Sequence, residues 1–132
     1  MADNDSWRDS PLGRHLGFEP GEVDDMHAVQ RLVIQAHHTN PTGAIHGGVI
    51  IALADNLATA MAGRANADAS GRGAFMVGVD LHAVMLRNQR GGTITAESRV
   101  VRRGRRVTVI RTVVTGVDGK ALAEVTTTHI AA

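Results

Sequence analysis

The chain has 132 residues, 14 Lys and Arg against 13 Asp and Glu, 43% apolar residues and no cysteine. One domain is expected at this length, and the lack of cysteine excludes a disulfide framework and a thiolate zinc site. A net charge of +1 and an aromatic content of 2% give no basis for whole-surface attraction to nucleic acid or membranes, or for a base-stacking platform.

Residues 1–25 are polar and acid-rich, with Asp3, Asp5, Asp9, Glu19, Glu22, Asp24 and Asp25. We expect residues 1–10 to be flexible and residues 11–132 to form a single domain. Ser10-Pro11 reads as a helix start leading into a short turn through Leu16. Trp7 and Phe18 read as packing anchors at the edge of the core. No basic, apolar secretory leader opens the sequence, so a cytoplasmic location is expected. Residues 27–37, with A-V-Q-R-L-V-I-Q-A, suit a strand.

Asn40-Pro41-Thr42-Gly43 reads as a turn: Asn starts it, Pro fixes φ, and Gly permits an unusual φ. Through His46, Gly47 and Gly48 it passes into residues 48–62, where nothing breaks a helix. Apolar residues occur on every side, the mark of a buried helix. The run from Val49 to Ala62 falls short of the roughly 20 apolar residues of a membrane span and is interrupted by Asp55 and Asn56. An ionisable group in such a run is where function should be sought. Gly48, Ala52, Asp55 and Thr59 recur at helical spacing, a stripe of small and polar groups that lets a ligand or another element come close. The first N–H groups of the helix lack intrahelical partners and carry the positive end of its dipole. With Gly47 and Gly48 offering no side-chain obstruction, a carbonyl oxygen could approach them, as in an oxyanion site.

After a loop at 66–73 the chain reads as β: 75–86, 93–103, 105–117 and 121–130. Turns are predicted at Gly91-Gly92, Arg103-Gly104-Arg105 and Val117-Asp118-Gly119-Lys120. These elements give an α+β domain, a curled antiparallel sheet wrapped around one long central helix and covered on one side only. Arg102, Arg103, Arg105 and Arg106 make the later part basic; they read either as a solvated face or as ligands for phosphates. His37, His38 and His82 form no recognisable ligand set, and no metal is expected.

Asn40, Gly43, His46, Gly47, Gly48 and Asp55 together spell N-x-x-G-x-x-H-G-G-x-x-x-x-x-x-D on a loop-to-helix junction. This resembles the hotdog-fold acyl-CoA thioesterases of the phenylacetate-pathway (PaaI-like) group, from about residue 12 to 130. Gly78 to His82 (G-V-D-L-H), Leu86-Arg87 and R-R-G-R-R support it. The resemblance implies a homodimer or homotetramer with active sites at the subunit interface, the acid from one helix and the His-Gly-Gly loop and Asn from its neighbour. It implies Asp55 as general base or nucleophile, the Gly47 amide polarising the thioester carbonyl, and Asn40 orienting the water or the carbonyl. His46 would shape the loop, and Thr59 would contact the water or the carboxylate. The sequence departs from the pattern at Gly78, where some relatives carry a hydroxyl, and at Asn88, where many carry proline.

The implied activity is hydrolysis of a small aryl- or medium-chain acyl-CoA to the free acid and coenzyme A. A carboxylate that activates water and an amide that holds the oxyanion are sufficient for it. No cofactor is expected, coenzyme A being part of the substrate. Gly48, Leu53, Met61 and Met76 are expected to line the substrate site, and Arg102, Arg103, Arg105 and Arg106 to hold the coenzyme A phosphates. The rival readings are a hotdog enoyl-thioester hydratase or dehydratase, which uses His and an acid in another arrangement, and a non-catalytic acyl-CoA-binding module.

Overall fold

The computed structural model describes residues 10–70 and 73–132. Two helices and six strands follow in order: α1 (Pro11–Leu16), β1 (Glu22–Val23), β2 (His27–Val33), α2 (Gly47–Ala65), β3 (Met76–Met85), β4 (Thr93–Arg103), β5 (Val107–Thr115) and β6 (Ala121–Ala131). The strands form one sheet in the order β1-β2-β4-β5-β6-β3, with every neighbouring pair antiparallel. This is the expected curled sheet with one long helix. Trp7 and the flexibility expected of the first nine residues lie outside the described residues. Ser10, grouped with that segment by sequence, instead caps α1 by accepting the Gly13 N–H at 3.1 Å.

α2 packs across the sheet because one face of it is uninterruptedly apolar. Leu53, Leu57 and Met61 are fully buried against Leu32, Ile94, Ile110 and, almost fully, Leu122. Each such side chain is worth about 1.5–3 kcal/mol in burial. Polar ties fix the helix laterally. Asn56 donates to Gln30 at 3.0 Å, and Gln30 donates to the Glu19 carbonyl at 3.0 Å. At its C-terminal end Asn66 donates to the Ala62 carbonyl at 2.8 Å and the Thr108 hydroxyl at 2.9 Å. No helix among the described residues is long and apolar enough to cross a membrane.

Several boundaries differ from the sequence expectation. The strand expected over 27–37 ends at Val33, and Ala36–His38 is a 3-10 turn. There the buried His38 ring turns inward, with Nε2 2.6 Å from the Leu16 carbonyl and Nδ1 accepting the Gln35 N–H at 2.8 Å. That local bonding outweighs the strand pattern. β1, too short to show a period, pairs with β2. The Asp-Gly turn forms as read: Gly119 has φ +77°, and Asp118 accepts the Lys120 N–H at 3.0 Å.

Among the described residues β3 is an edge strand, bonded to β6 alone, with a bulge between Gly78 and Asp80. It leaves Val79, Leu81, Val84 and Met85 exposed. A long apolar edge with unpaired backbone groups is a surface that natural proteins cover or pair.

Candidate active site

The loop before α2 is held from three sides. Asn40 Oδ1 accepts the Thr42 N–H at 2.9 Å and the Thr42 hydroxyl at 2.6 Å, which closes the turn. That leaves the Nδ2 end of Asn40 for another partner. Gly43 sits at φ +83°, and a Cβ there would come within 2.7 Å of Arg90, so only glycine suits the position. His46 N–H donates to the His38 carbonyl at 2.8 Å, Ile45 N–H to the Gln89 carbonyl at 3.0 Å, and Asn88 Nδ2 to the Ile45 carbonyl at 3.0 Å. Asn88 therefore anchors the His46 loop.

His46 is the N-cap of α2. Its Nδ1 accepts the Gly48 N–H at 2.9 Å, and the Val49 N–H returns to the His46 carbonyl at 2.9 Å. Two of the orphan amides expected at this terminus are thus satisfied within the chain. The Gly48 amide, expected to serve the substrate, is one of them. Among the described residues no acceptor faces the Gly47 N–H, which stays available at the positive end of the dipole.

The sequence stripe of Gly48, Ala52, Asp55 and Thr59 is the open face of α2: none of the four is buried, and Asp55 and Gly48 are exposed. Asp55 is therefore not held in the interior of one chain. Thr59 lies one turn beyond it on the same face. The Asp55 carboxylate looks toward the start of β3, with Oδ1 3.8 Å from where a Cβ on Gly78 would stand. At the other end, a Cβ on Gly47 would lie 3.5 Å from the Met85 methyl. β3 thus runs antiparallel to α2, with Gly78 beside Asp55 and Met85 beside Gly47. Eight residues of helix at roughly 1.5 Å each separate Gly47 from Asp55 by about 12 Å. One chain therefore cannot bring its own Asp55 and its own Gly47 amide to the same carbonyl.

A residue the sequence reading passed over faces the same spot. The ring of His129, on β6, has Cε1 and Nδ1 both 3.7 Å from the Cβ position of Gly78. His129 is fully buried, with Nε2 2.8 Å from the Thr127 hydroxyl. Burial pushes its imidazole below the ordinary value, and the Asp55 carboxylate pulls it partly back. The available signal was parity: Ala123, Val125, Thr127 and His129 alternate inward along β6, so a titratable ring occupies a core-facing position.

The remaining expected residues lie elsewhere. Leu53 and Met61 are fully buried and Met76 nearly so, all within the helix-sheet core. They do not line an open cleft, because the face of α2 that carries Leu53 and Met61 is the one packed on the sheet. Arg102 and Arg103, at the end of β4, line a cleft of about 510 Å³ together with Met26, Arg64 and Asp68. Arg103 donates to the Ala65 carbonyl at the C-terminus of α2 at 2.9 Å. Arg105 and Arg106 are exposed between β4 and β5. By helix rise this end of α2 is about 15 Å from Asp55 and about 27 Å from Gly47 of the same chain.

Comparison with known proteins agrees with this fold. The family model described as the thioesterase superfamily matches residues 42–123. PA1618 of Pseudomonas aeruginosa, described as a candidate esterase, is 32% identical over 109 residues, covering 83% of this chain and 73% of that protein. A mutant of PA1618, there described as a thioesterase, has a crystal structure that superposes with a TM-score of 0.82 at 28% identity, covering 96% of this chain and 89% of that one. The PaaI protein of E. coli, from the phenylacetic acid degradation operon, superposes with a TM-score of 0.84 at 20% identity, covering 96% of this chain and 88% of that one.

Proposed function

Since the chain belongs to the thioesterase superfamily and is a thioester hydrolase of hotdog fold, we propose that it hydrolyses a small aryl- or medium-chain acyl-CoA in a site shared by two subunits. The observation that carries this reading is the matched layout of α2 and β3. Two copies of the exposed β3 edge, paired antiparallel about a two-fold axis between Leu81 and His82, set residue 78 of one chain against residue 85 of the other. Asp55 of one subunit then faces Gly47 of its partner, the two groups that a single chain holds about 12 Å apart.

In this site the Gly47 N–H donates a hydrogen bond to the thioester oxygen and stabilises the negative charge that develops there, aided by the helix dipole. Asp55 acts as general base: it takes a proton from water as the water oxygen bonds to the acyl carbon. The C–S bond breaks as the tetrahedral intermediate collapses, and the proton returns to the departing thiolate. Water and acyl-CoA thus become acid and thiol, with no redox step and no metal required. Asn40 Nδ2, left over from the Asx turn, orients the water or the carbonyl, and Thr59 steadies the carboxylate or its water. His46 holds the loop. Arg102 and Arg103, with Arg105 and Arg106 beside them, take the coenzyme A phosphates. The apolar acyl group lies along β3 near Leu81 and Met85. The fold shared with E. coli PaaI and the flexible methionine favour an aryl or medium-chain group. A cytoplasmic location goes with an acyl-CoA substrate.

Mixed assembly tests the shared site. Asp55→Asn removes the base. Gly47→Pro removes the amide at a first helical position that tolerates proline, after a His46 already at ψ 126°. Each variant alone should release little thiol from acyl-CoA. Unfolded together in equal amounts and refolded, they should recover about a quarter of wild-type activity, because half the dimers carry one intact site of two. No recovery in verified mixed dimers would place both groups in one chain and defeat the reading.

A further inference from the structure

Among the described residues, His129 Nδ1 is the one buried side-chain polar atom with no hydrogen-bond partner. Buried polar groups are almost always paired, so an orphan of this kind needs an explanation. Its surroundings supply one. On β6 its other nitrogen meets Thr127; across the ladder β5 presents Thr108, whose hydroxyl oxygen accepts from Asn66 and makes no bond to the ring; β3 presents Gly78, which has no side chain; and α2 presents Asp55. Among the described residues Asp55 is the only charged group acting on the ring. Asp55 Oδ1 and His129 Nδ1 lie 3.8 and 3.7 Å from the same point above Gly78. A glycine there leaves the way between them unobstructed.

We propose that His129 is a positioning residue for Asp55, its Nδ1–H holding the carboxylate through one water seated above Gly78, in the orientation that receives the proton of the hydrolytic water. This rests on the role of Asp55 given above. The partners permit the tautomer this role requires. The Thr127 hydroxyl can donate to Nε2, which leaves the proton on Nδ1, facing the carboxylate that attracts it. Burial disfavours the imidazolium, so the ring acts as a neutral fixed donor and not as the acceptor of the catalytic proton. Gly78 is part of the device. A Cβ at 3.7 to 3.8 Å from both groups would meet them only in ordinary contact, yet it would fill the space through which they communicate.

Two measurements decide it. Nitrogen-15 NMR of the histidines, with His129→Asn for assignment, should show the Nδ1–H tautomer at residue 129 in the wild type. Asp55→Asn should lower the pH at which this ring titrates, since the attracting charge is gone. An Nε2–H tautomer, or a titration indifferent to Asp55→Asn, overturns the pairing whether or not the protein hydrolyses anything. In thiol-release kinetics His129→Leu should lower kcat about tenfold with little change in KM, as expected for loss of one hydrogen bond to a charged group. His129→Asn, whose amide N–H can stand where Nδ1–H stood, should keep most of kcat. Wild-type kcat and pH profile in both variants would refute the positioning role. If the wild type releases no thiol from any acyl-CoA, the proposed substrate class fails, and the NMR result still decides the Asp55–His129 pairing.

Discussion

Nδ1 of His46 accepts the backbone N–H of Gly48 at 2.9 Å, so the residue that caps α2 also determines which amide is left for a substrate. His46→Ala should lower stability by about 1 kcal/mol through loss of the cap and reduce kcat several-fold as the loop loosens. His46→Asn, a good N-cap, should restore stability. Gly48→Ala should resemble the alanine variant at 46, because a Cβ there would lie 2.9 Å from the His46 ring. Urea midpoints and thiol-release rates measured together check this. A His46→Ala protein as stable as wild type would show that the cap contributes nothing.

Asp55→Asn should lower kcat on the order of a hundredfold to ten-thousandfold while leaving the circular dichroism spectrum and assembly size unchanged. Asp55 is exposed in the chain and belongs to no core contact that the change would break. Asn40→Ala should cost less activity, about tenfold, and some loop stability, since Oδ1 also holds Thr42. A thiol-release assay over a range of acyl-CoA chain lengths and aryl-CoA esters measures both. Wild-type rates in both variants would remove these residues from the mechanism.

Leu81→Lys should break the assembly. The residue is 41% exposed on the β3 edge, and two copies of the lysine would meet beside the proposed two-fold axis, where like charges repel. Light scattering should find a folded monomer with little hydrolase activity. An active monomer would show that one chain suffices.

His129 should make the protein less stable in acid. Burial lowers its imidazole from the ordinary 6.5, with Asp55 offsetting part of the effect. As the pH falls, the unfolded chain takes up this proton before the folded chain does. Stability is therefore lost as pH drops from about 6.5 toward the folded value, and the contribution is flat above it. Denaturant midpoints at about pH 7.5 and pH 5.5 should differ more for the wild type than for His129→Asn. Equal differences would show that the ring charges without penalty.

The fold was largely legible because its signals are local and repeated. The apolar run around Asp55 marked α2, and period-two alternation with an Asp-Gly turn marked the later strands. The stripe of Gly48, Ala52, Asp55 and Thr59 foretold the open face of the helix. Less legible was anything set by tertiary contact. The inward bond of His38 to Leu16 ended β2 early. Leu53 and Met61 belong to the core because the helix is seated by its opposite face, which composition around Asp55 does not reveal. The approach of His129 to Asp55 joins residues 74 positions apart through a glycine, and no spacing rule connects them.

The separation of Gly47 and Asp55 along one helix has a consequence for how much work each molecule does. On the shared-site reading an isolated polypeptide is inert, whatever its stability, and turnover begins only on encounter with a second copy. Specific activity then depends on how much of the protein is present, dropping as a solution is thinned past the dissociation constant of the pair. Abundance itself becomes a means of control, without any effector.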